Sequence, residues 1–298
     1  MIQSPIAERR MMHIDFGTVM FDTAVYLKKD YNTVLVYRKG LLFSRSPLEL
    51  FMSETKKIKL TRDIFLVNND YCPEFEPNMF DSYYWANKNL IFGTAKGRGV
   101  TYFVGNKRKY VLRHYMRGGF IANFSKDSFF YQGKKSARSL QEFLVLELLR
   151  SRGMNVPVPV AARTHRSGIW WAKYDILVSY IENSSNLVNI LKQRTLSSNE
   201  IAEIAKSVIQ LAENGVYHSD LNIHNLLIDD QGRIWIIDFD KSKLIPNGCV
   251  ERMLERLQRS FAKERRLALE AKESFFYTDD VFDSIKTQVM QGLSASKR

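Results

Sequence analysis

His218-Ser219-Asp220-Leu221-Asn222-Ile223-His224-Asn225, followed by Ile236-Ile237-Asp238-Phe239-Asp240, is the stretch whose reading decides the fold. Between its halves, NLLID (225–229) reads as a strand, Asp230-Gln231-Gly232 as a turn, and RIWIID (233–238) as a second strand. A loop thus feeds a short hairpin, which delivers a second aspartate close to the first. This suits a reaction that needs positioned charge more than covalent help. Asp220 is placed to accept the proton of an attacking hydroxyl. Asn225 and Asp238 are placed to converge on a divalent metal that bridges phosphate oxygens. His218 fits a bracing role better than proton transfer. An H-x-D is common by chance and a D-F-D is an ordinary strand end. The interval and the strand–turn–strand between them give the pair its weight.

Both halves follow the order H-x-D-L-x-x-x-N then D-F-G, with Asp240 in place of the glycine, so a kinase-type active site is expected. Upstream, LIFGTA (90–95), VTYFV (100–104) and KYVLRHY (109–115) read as three strands, with a hairpin turn at Gly105-Asn106. Gly93 in the first strand, with Gly97 and Gly99 in the break AKGRG, sit where a glycine-rich loop could cover phosphates. Their order is G-x-x-x-G-x-G instead of G-x-G-x-x-G, which is also compatible with a plain hairpin. Gly97 and Gly99 are candidate nucleotide contacts. The third strand carries Arg113 where a phosphate-binding lysine is expected. Lys109, four residues back on the same face, is the alternative cation. Glu142, on the following helix, is the candidate ion-pair partner, with Glu147 as the alternative.

That helix is SARSLQEFLVLELLRSRG (136–153), with Ser136 or Ser139 as cap and Gly153 as stop. VPVPV (156–160) then runs extended. IWWAKYDILVSYI (169–181) reads as an antiparallel pair of strands, NLVNILKQ (186–193) and NEIAEIAKSVIQLAENG (199–215) as helices. A charged helix from Glu251 to about Glu273 and a short one near 279–292 end the chain. In the first 55 residues, YNTVLVY and GLLFSRS look like strands and SPLELFMSE like a helix, with no site motif. The expected fold is α+β, protein-kinase-like and two-lobed. Residues 1–55 form an extension, 56–180 a β-rich N-lobe, and 181–298 an abbreviated, mostly helical C-lobe, with the chemistry between the lobes.

Composition narrows the partners. The formal net charge is +12, from 44 Lys and Arg against 32 Asp and Glu, which favours anionic partners such as nucleotide phosphates or lipid head groups. No nucleic-acid reader motif is present. Cys72 and Cys249 are far apart and lack metal-ligand spacing, so neither a disulfide framework nor a zinc site is expected. No stretch approaches the roughly 18 apolar residues of a spanning helix, and the first residues lack the apolar core of a secretory signal. A cytosolic or membrane-surface protein is expected.

VLRHYMRGG, the helix SARSLQEFLVLELLRSRG, NVPVPVAAR, YHSDLNIHNLLID, IIDFDKSKL and RLQRSFAKE, in this order over about residues 70 to 270, resemble the 3-deoxy-D-manno-octulosonic acid (Kdo) kinases. The resemblance implies an abbreviated protein-kinase-like fold and use of ATP with Mg2+. It implies phosphorylation of the 4-hydroxyl of Kdo on a Kdo-lipid A precursor, with Asp220 as the active-site residue. It further implies lipopolysaccharide inner-core biosynthesis, peripherally at the cytoplasmic side of the cell inner membrane. Only about 60 residues follow Asp238, with no A-P-E element, which agrees with a non-protein acceptor. Arg252, Arg256, Arg259, Lys263 and Arg266 recur at steps of four and three on the charged helix, a candidate stripe for docking on anionic lipid. A kinase of another lipopolysaccharide sugar such as heptose shares every motif. A nucleotide-binding pseudokinase would account for the missing lysine but not for an intact Asp220, Asn225 and Asp238.

Overall fold

The structure, a computed structural model, describes residues 23–27, 34–38, 41–45, 55–60, 62–96, 100–116, 127–131, 137–245 and 249–296. The chain divides into two units, Met1–Ser53 and Glu54–Arg298. In the first, strands β1 (Thr23–Leu27), β2 (Val34–Arg38) and β3 (Leu41–Arg45) form an antiparallel sheet. The strands read at YNTVLVY and GLLFSRS are β2 and β3. The helix expected at SPLELFMSE lies outside the described residues.

The second unit opens with an eight-stranded antiparallel sheet. Its strands are β4 (Thr55–Lys59), β5 (Asp63–Asn68), β6 (Ile91–Lys96), β7 (Val100–Gly105), β8 (Lys109–His114), β9 (Phe129–Phe130), β10 (Pro159–Arg166) and β11 (Trp171–Ser179). The spatial order is β4-β5-β10-β11-β8-β7-β6, with β9 paired to the start of β11. The β6–β7–β8 meander follows the sequence reading, and Gly105 takes a φ of +107°, as the hairpin turn requires.

IWWAKYDILVSYI is one strand rather than a pair. Ile169 and Trp170 sit in the turn, and β11 pairs with β10 upstream and with β8. β11 is buried along nearly its whole length, so its apolar run needs no internal turn. β5 is equally apolar because both its faces are covered. Met79 and Phe80 of a 3-10 turn (Pro77–Phe80) and Trp85 of helix α1 (Ser82–Asn87) share a core with Phe65, Val67 and Leu112.

Helix α2 (Arg138–Ser151) packs on β10 and β11. Its N-cap is Ala137, with no side-chain cap. Ser139 does not cap it, because its buried hydroxyl donates to the Arg163 carbonyl at 2.8 Å; Ser136 lies outside the described residues. Gly153 ends the helix with φ +74°.

After β11 come β12 (Ser184–Asn186), α3 (Leu187–Leu191) and α4 (Ser198–Glu213). β14 (Leu226–Asp229) and β15 (Ile234–Ile236) form a hairpin that joins β12 in a three-stranded sheet, and β13 (Val216–Tyr217) pairs with β16 (Lys243–Leu244) from either side of that hairpin in the chain. Helices α5 (Val250–Glu270) and α6 (Asp279–Ala295) close the unit against α4. Ile204, Ala205, Val208 and Leu211 make the buried stripe of α4 read from its periodicity.

α4 starts with a capping box. Glu200 N donates to Ser197 Oγ at 3.2 Å, and Ser197 N donates to Glu200 Oε2 at 2.8 Å. Two hydrogen bonds from Arg194 then hold the Glu200 carboxyl at about 2, well below its ordinary 4.5. A depressed carboxylate stabilises the fold fully above its unfolded value, and that contribution is lost as pH falls through the folded one. Glu200→Gln is therefore expected to cost about 1–2 kcal/mol at pH 7. The gap to wild type should narrow as pH falls from 4.5 towards 2, as urea denaturation at several pH values would read.

Candidate active site

The catalytic hairpin is held from three sides. The His218 Nε2 lies 3.1 Å from the Ile237 carbonyl, which can only accept, so Nε2 carries the proton. The ring is buried, 4.7 Å from the Phe239 ring centroid, and burial lowers its pKa, so it stays neutral and braces the loop. Asn222 and Asn225 both donate to the Asp220 carbonyl, at 2.8 and 3.1 Å. Ile237 N donates to the Asn225 carbonyl at 3.0 Å, which ties the loop to the Asp238 segment.

The third side is α5. Met253 Sδ accepts from His218 N at 3.4 Å, Ser260 Oγ accepts from Ile223 N at 3.2 Å, and Glu264 meets the His224 ring at 3.0 Å. Arg256 falls on the same face by spacing, and its Nη2 and Nε both donate to Asp220 Oδ1, at 2.7 and 3.1 Å. Arg256 is thus not a free cation of a lipid-docking stripe, because its side chain reaches into the cleft. Of the other cations on α5, Arg266 pairs with Glu270 at 2.9 Å and Lys263 lies 3.9 Å from Glu264. Leu254, Leu257 and Phe261 are buried against the lobe, as their stripe suggested.

With Oδ1 doubly engaged, Oδ2 is the oxygen of Asp220 with no hydrogen-bond partner among the described residues. Two donors on one oxygen fix the orientation of the carboxylate more than they stabilise the fold, since the pair is half exposed. Arg256→Ala is therefore expected to lower kcat roughly 10- to 100-fold with a smaller effect on the KM for nucleotide. Steady-state kinetics with Arg256→Lys as the partial rescue checks this.

The opposite wall centres on Arg113, on β8. Its Nη2 pairs with Glu142 of α2, and its Nη1 lies 2.5 Å from Asp238 Oδ1. Glu142, whose side chain is 1% exposed, also accepts from Tyr115 Oη and, at 3.2 Å, from Phe239 N. Burial pushes the Glu142 carboxyl up and Arg113 pulls it back; the net direction is up. Burial likewise pushes Asp238 up, and is the largest single effect there, but the charge and hydrogen bond of Arg113 together with smaller favourable contacts outweigh it, so Asp238 stays below its ordinary value. Asp238 takes a left-handed φ of +64°, open to aspartate at modest cost.

The two alternatives left open by the sequence are engaged elsewhere. Lys109 pairs with Glu182 at 2.8 Å, and Glu147 accepts from Asn68 at 3.1 Å. The D-F-D departure also has a structural role. Asp240 stands where glycine is usual, and Arg138 of α2 grips its carboxylate through Nε at 2.8 Å and through Nη2. Arg138, Tyr115 and Arg256 carried no local motif; only their partners, distant in sequence, reveal them.

A cavity of about 280 Å3 lies between these walls, lined by Val100 and Thr101 of β7, Arg113 and Tyr115, and Asp220 and Asp238. Gly97 and Gly99 lie outside the described residues. No cluster of three metal-ligating His, Cys, Asp or Glu side chains occurs among the described residues.

A β-rich lobe and a helical lobe, joined at β11–β12, with Asp220 facing the Arg113–Glu142–Asp238 cluster across a cleft, define a protein-kinase-like phosphotransferase. Residues 82–278 match the model of the lipopolysaccharide kinase (Kdo/WaaP) family, and the chain belongs to that family. A 3-deoxy-D-manno-octulosonic acid kinase of Vibrio vulnificus (strain CMCP6) is 41% identical over 70% of this chain and 87% of its own. One of Photobacterium damsela subsp. piscicida is 42% identical over 70% and 88%. Among solved structures, WaaP in complex with acyl carrier protein is 13% identical over 76% of this chain and 88% of its own, with a TM-score of 0.48.

Proposed function

We propose that this protein transfers the γ-phosphate of ATP to the 4-hydroxyl of a Kdo residue on a Kdo-lipid A precursor, during assembly of the lipopolysaccharide inner core. The observation that carries this reading is the identity above 40% to named Kdo kinases across nearly nine-tenths of their length. The geometry of the cleft supports it. Asp220 Oδ2 would accept the proton of the sugar hydroxyl as it attacks, while Arg256 holds the carboxylate in place through Oδ1. Arg113, fixed by Glu142, would meet the phosphates with a planar pair of donors instead of the point charge of lysine.

By chemistry, the two candidate donors suit Mg2+. The Asn225 amide oxygen and the Asp238 carboxylate are hard ligands, and Mg2+ characteristically takes one or two protein carboxylates and fills its octahedron with phosphates and water. Bound there, the ion would neutralise charge on the transferring phosphate. The site would then work at the cytoplasmic face of the inner membrane, with the protein attached peripherally.

Offering Kdo-terminated and heptose-terminated lipid A precursors in parallel, with ATP and Mg2+, tests the acceptor. Transfer to the Kdo acceptor at least ten times faster is the expected result. Preferential transfer to heptose would replace this reading with that of a heptose kinase.

A further inference from the structure

Two neighbouring turns end the eight-stranded sheet on the side where β8 enters the cleft. One joins β4 to β5 and carries Leu60 and Arg62. The other joins β10 to β11 and carries Arg166, Ile169 and Trp170. Arg166 N donates to the Arg62 carbonyl at 2.8 Å, which locks the two turns together. Beside them, β9 pairs with the first residues of β11, and Tyr131 N donates to the Trp170 carbonyl at 2.8 Å.

This end of the sheet is unusually apolar for a surface. Ile169 is 73% exposed and Trp170 59%, with Leu60, Phe130 and Trp171 each close to half exposed. The Phe130 and Trp170 rings stack at 5.8 Å and 9°, and Trp171 meets Phe130 edge-on at 6.2 Å. A contiguous cluster of exposed large side chains marks an interaction surface, whereas a lone exposed residue does not.

The charges around the cluster are predominantly positive. Asp63 is taken by His165 at 2.9 Å and Asp127 by Lys173 at 2.6 Å. Lys59, Arg62 and Arg166 form no ion pair among the described residues; Arg166 instead lies over the Tyr131 ring at 5.4 Å. Tryptophan rings flanked by unpaired cations match the boundary layer of an anionic bilayer. The rings favour the region between head group and acyl chain, and the cations face the phosphates.

We propose that this paired-turn tip is the surface by which the protein seats on an anionic membrane. The proposal rests on the lipid-linked acceptor proposed above, and the register of the sheet adds to it. Asp175 of β11 pairs with His114 of β8, beside Arg113, and Trp171 lies four residues along the same strand. At about 3.3 Å per residue the tip is then some 13 Å from the cleft mouth. An enzyme seated by the tip would hold its cleft near the head groups, where a sugar on a lipid anchor emerges. The charged helix α5 is the weaker candidate, since Arg256 is spent on Asp220 and Arg265 pairs with Asp279.

The test is co-sedimentation of the full chain with vesicles of phosphatidylethanolamine and phosphatidylglycerol, against vesicles of phosphatidylcholine. Wild type is expected to bind the anionic vesicles and to be released by salt. Ile169→Ser with Trp170→Ser, and separately Arg62→Glu with Arg166→Glu, should each weaken that binding at least 10-fold. Transfer to a soluble Kdo acceptor lacking acyl chains should stay at the wild-type rate in both, with unchanged melting temperatures. Wild-type vesicle binding by both pairs would overturn the proposal. So would loss of binding in Arg259→Glu with Lys263→Glu alone, or a wild-type dimer that the serine pair dissociates with vesicle binding intact. Vesicle binding without transfer to any Kdo acceptor would overturn the acceptor reading and leave the surface standing.

Discussion

Asp220→Asn is expected to lower the rate of phosphate transfer by about 10^2- to 10^4-fold, the range that a positioned general base contributes. Asparagine keeps the shape of the side chain and can still accept from Arg256, so the loop should hold its place. It cannot take the hydroxyl proton. The loss should therefore fall on kcat, with the KM for ATP within a few-fold of wild type, because the residues proposed to hold the nucleotide, Arg113 and Asp238, line the opposite wall. The Asp220 and Arg256 side chains are 47% and 34% exposed, so weakening their pair should change stability little. Single-turnover transfer at saturating ATP, with a thermal melt of the same sample, separates the two effects. A melting temperature that falls steeply while the rate survives would contradict the assignment of Asp220 as the base.

Arg113→Met is expected to act in the opposite proportion, on both stability and activity. Arg113 bridges a fully buried glutamate to the aspartate of the D-F-D segment, and methionine leaves Glu142 with no cation. Breaking a buried pair from one side costs about 3–5 kcal/mol. Its side chain is 22% exposed and Asp238 37%, so the lower end of that range applies. Activity should fall at least 100-fold, since the same change removes the cation proposed to meet the phosphates. Arg113→Lys restores the charge but reaches one carboxylate where arginine reaches two. It should recover most of the stability and part of the activity, with a raised KM for ATP. Urea denaturation and steady-state kinetics on the two variants check the prediction. Equal behaviour of the lysine and methionine variants would contradict the bridging role.

The catalytic hairpin was legible because everything that makes it lies within 23 positions, His218 to Asp240, at spacings set by one loop and one tight turn. The β6–β7–β8 meander and helices α2, α4, α5 and α6 were legible for the same reason. Features that depend on distant partners were less so. β5 drew no reading because its apolar run makes sense only against β10, where Asp63 faces His165, 102 residues away. IWWAKYDILVSYI was split in two because its partner lies upstream of it. Spacing alone places Arg256 in a lipid-docking stripe, since it says which residues share a helix face and is silent on what opposes it. Arg113 and Glu142 were paired correctly by analogy with a lysine–glutamate pair. Asp240, by contrast, gave no hint of Arg138 until α2 was in place.

The most direct test of the central claim is the position of the transferred phosphate. A Kdo-terminated lipid A precursor, incubated with the protein, ATP and Mg2+, is examined by phosphorus and proton NMR. One new phosphate ester on the Kdo 4-hydroxyl, formed in step with ADP, is the result the account predicts. Release of ADP with an unmodified sugar, or a phosphate on any residue other than Kdo, would contradict it.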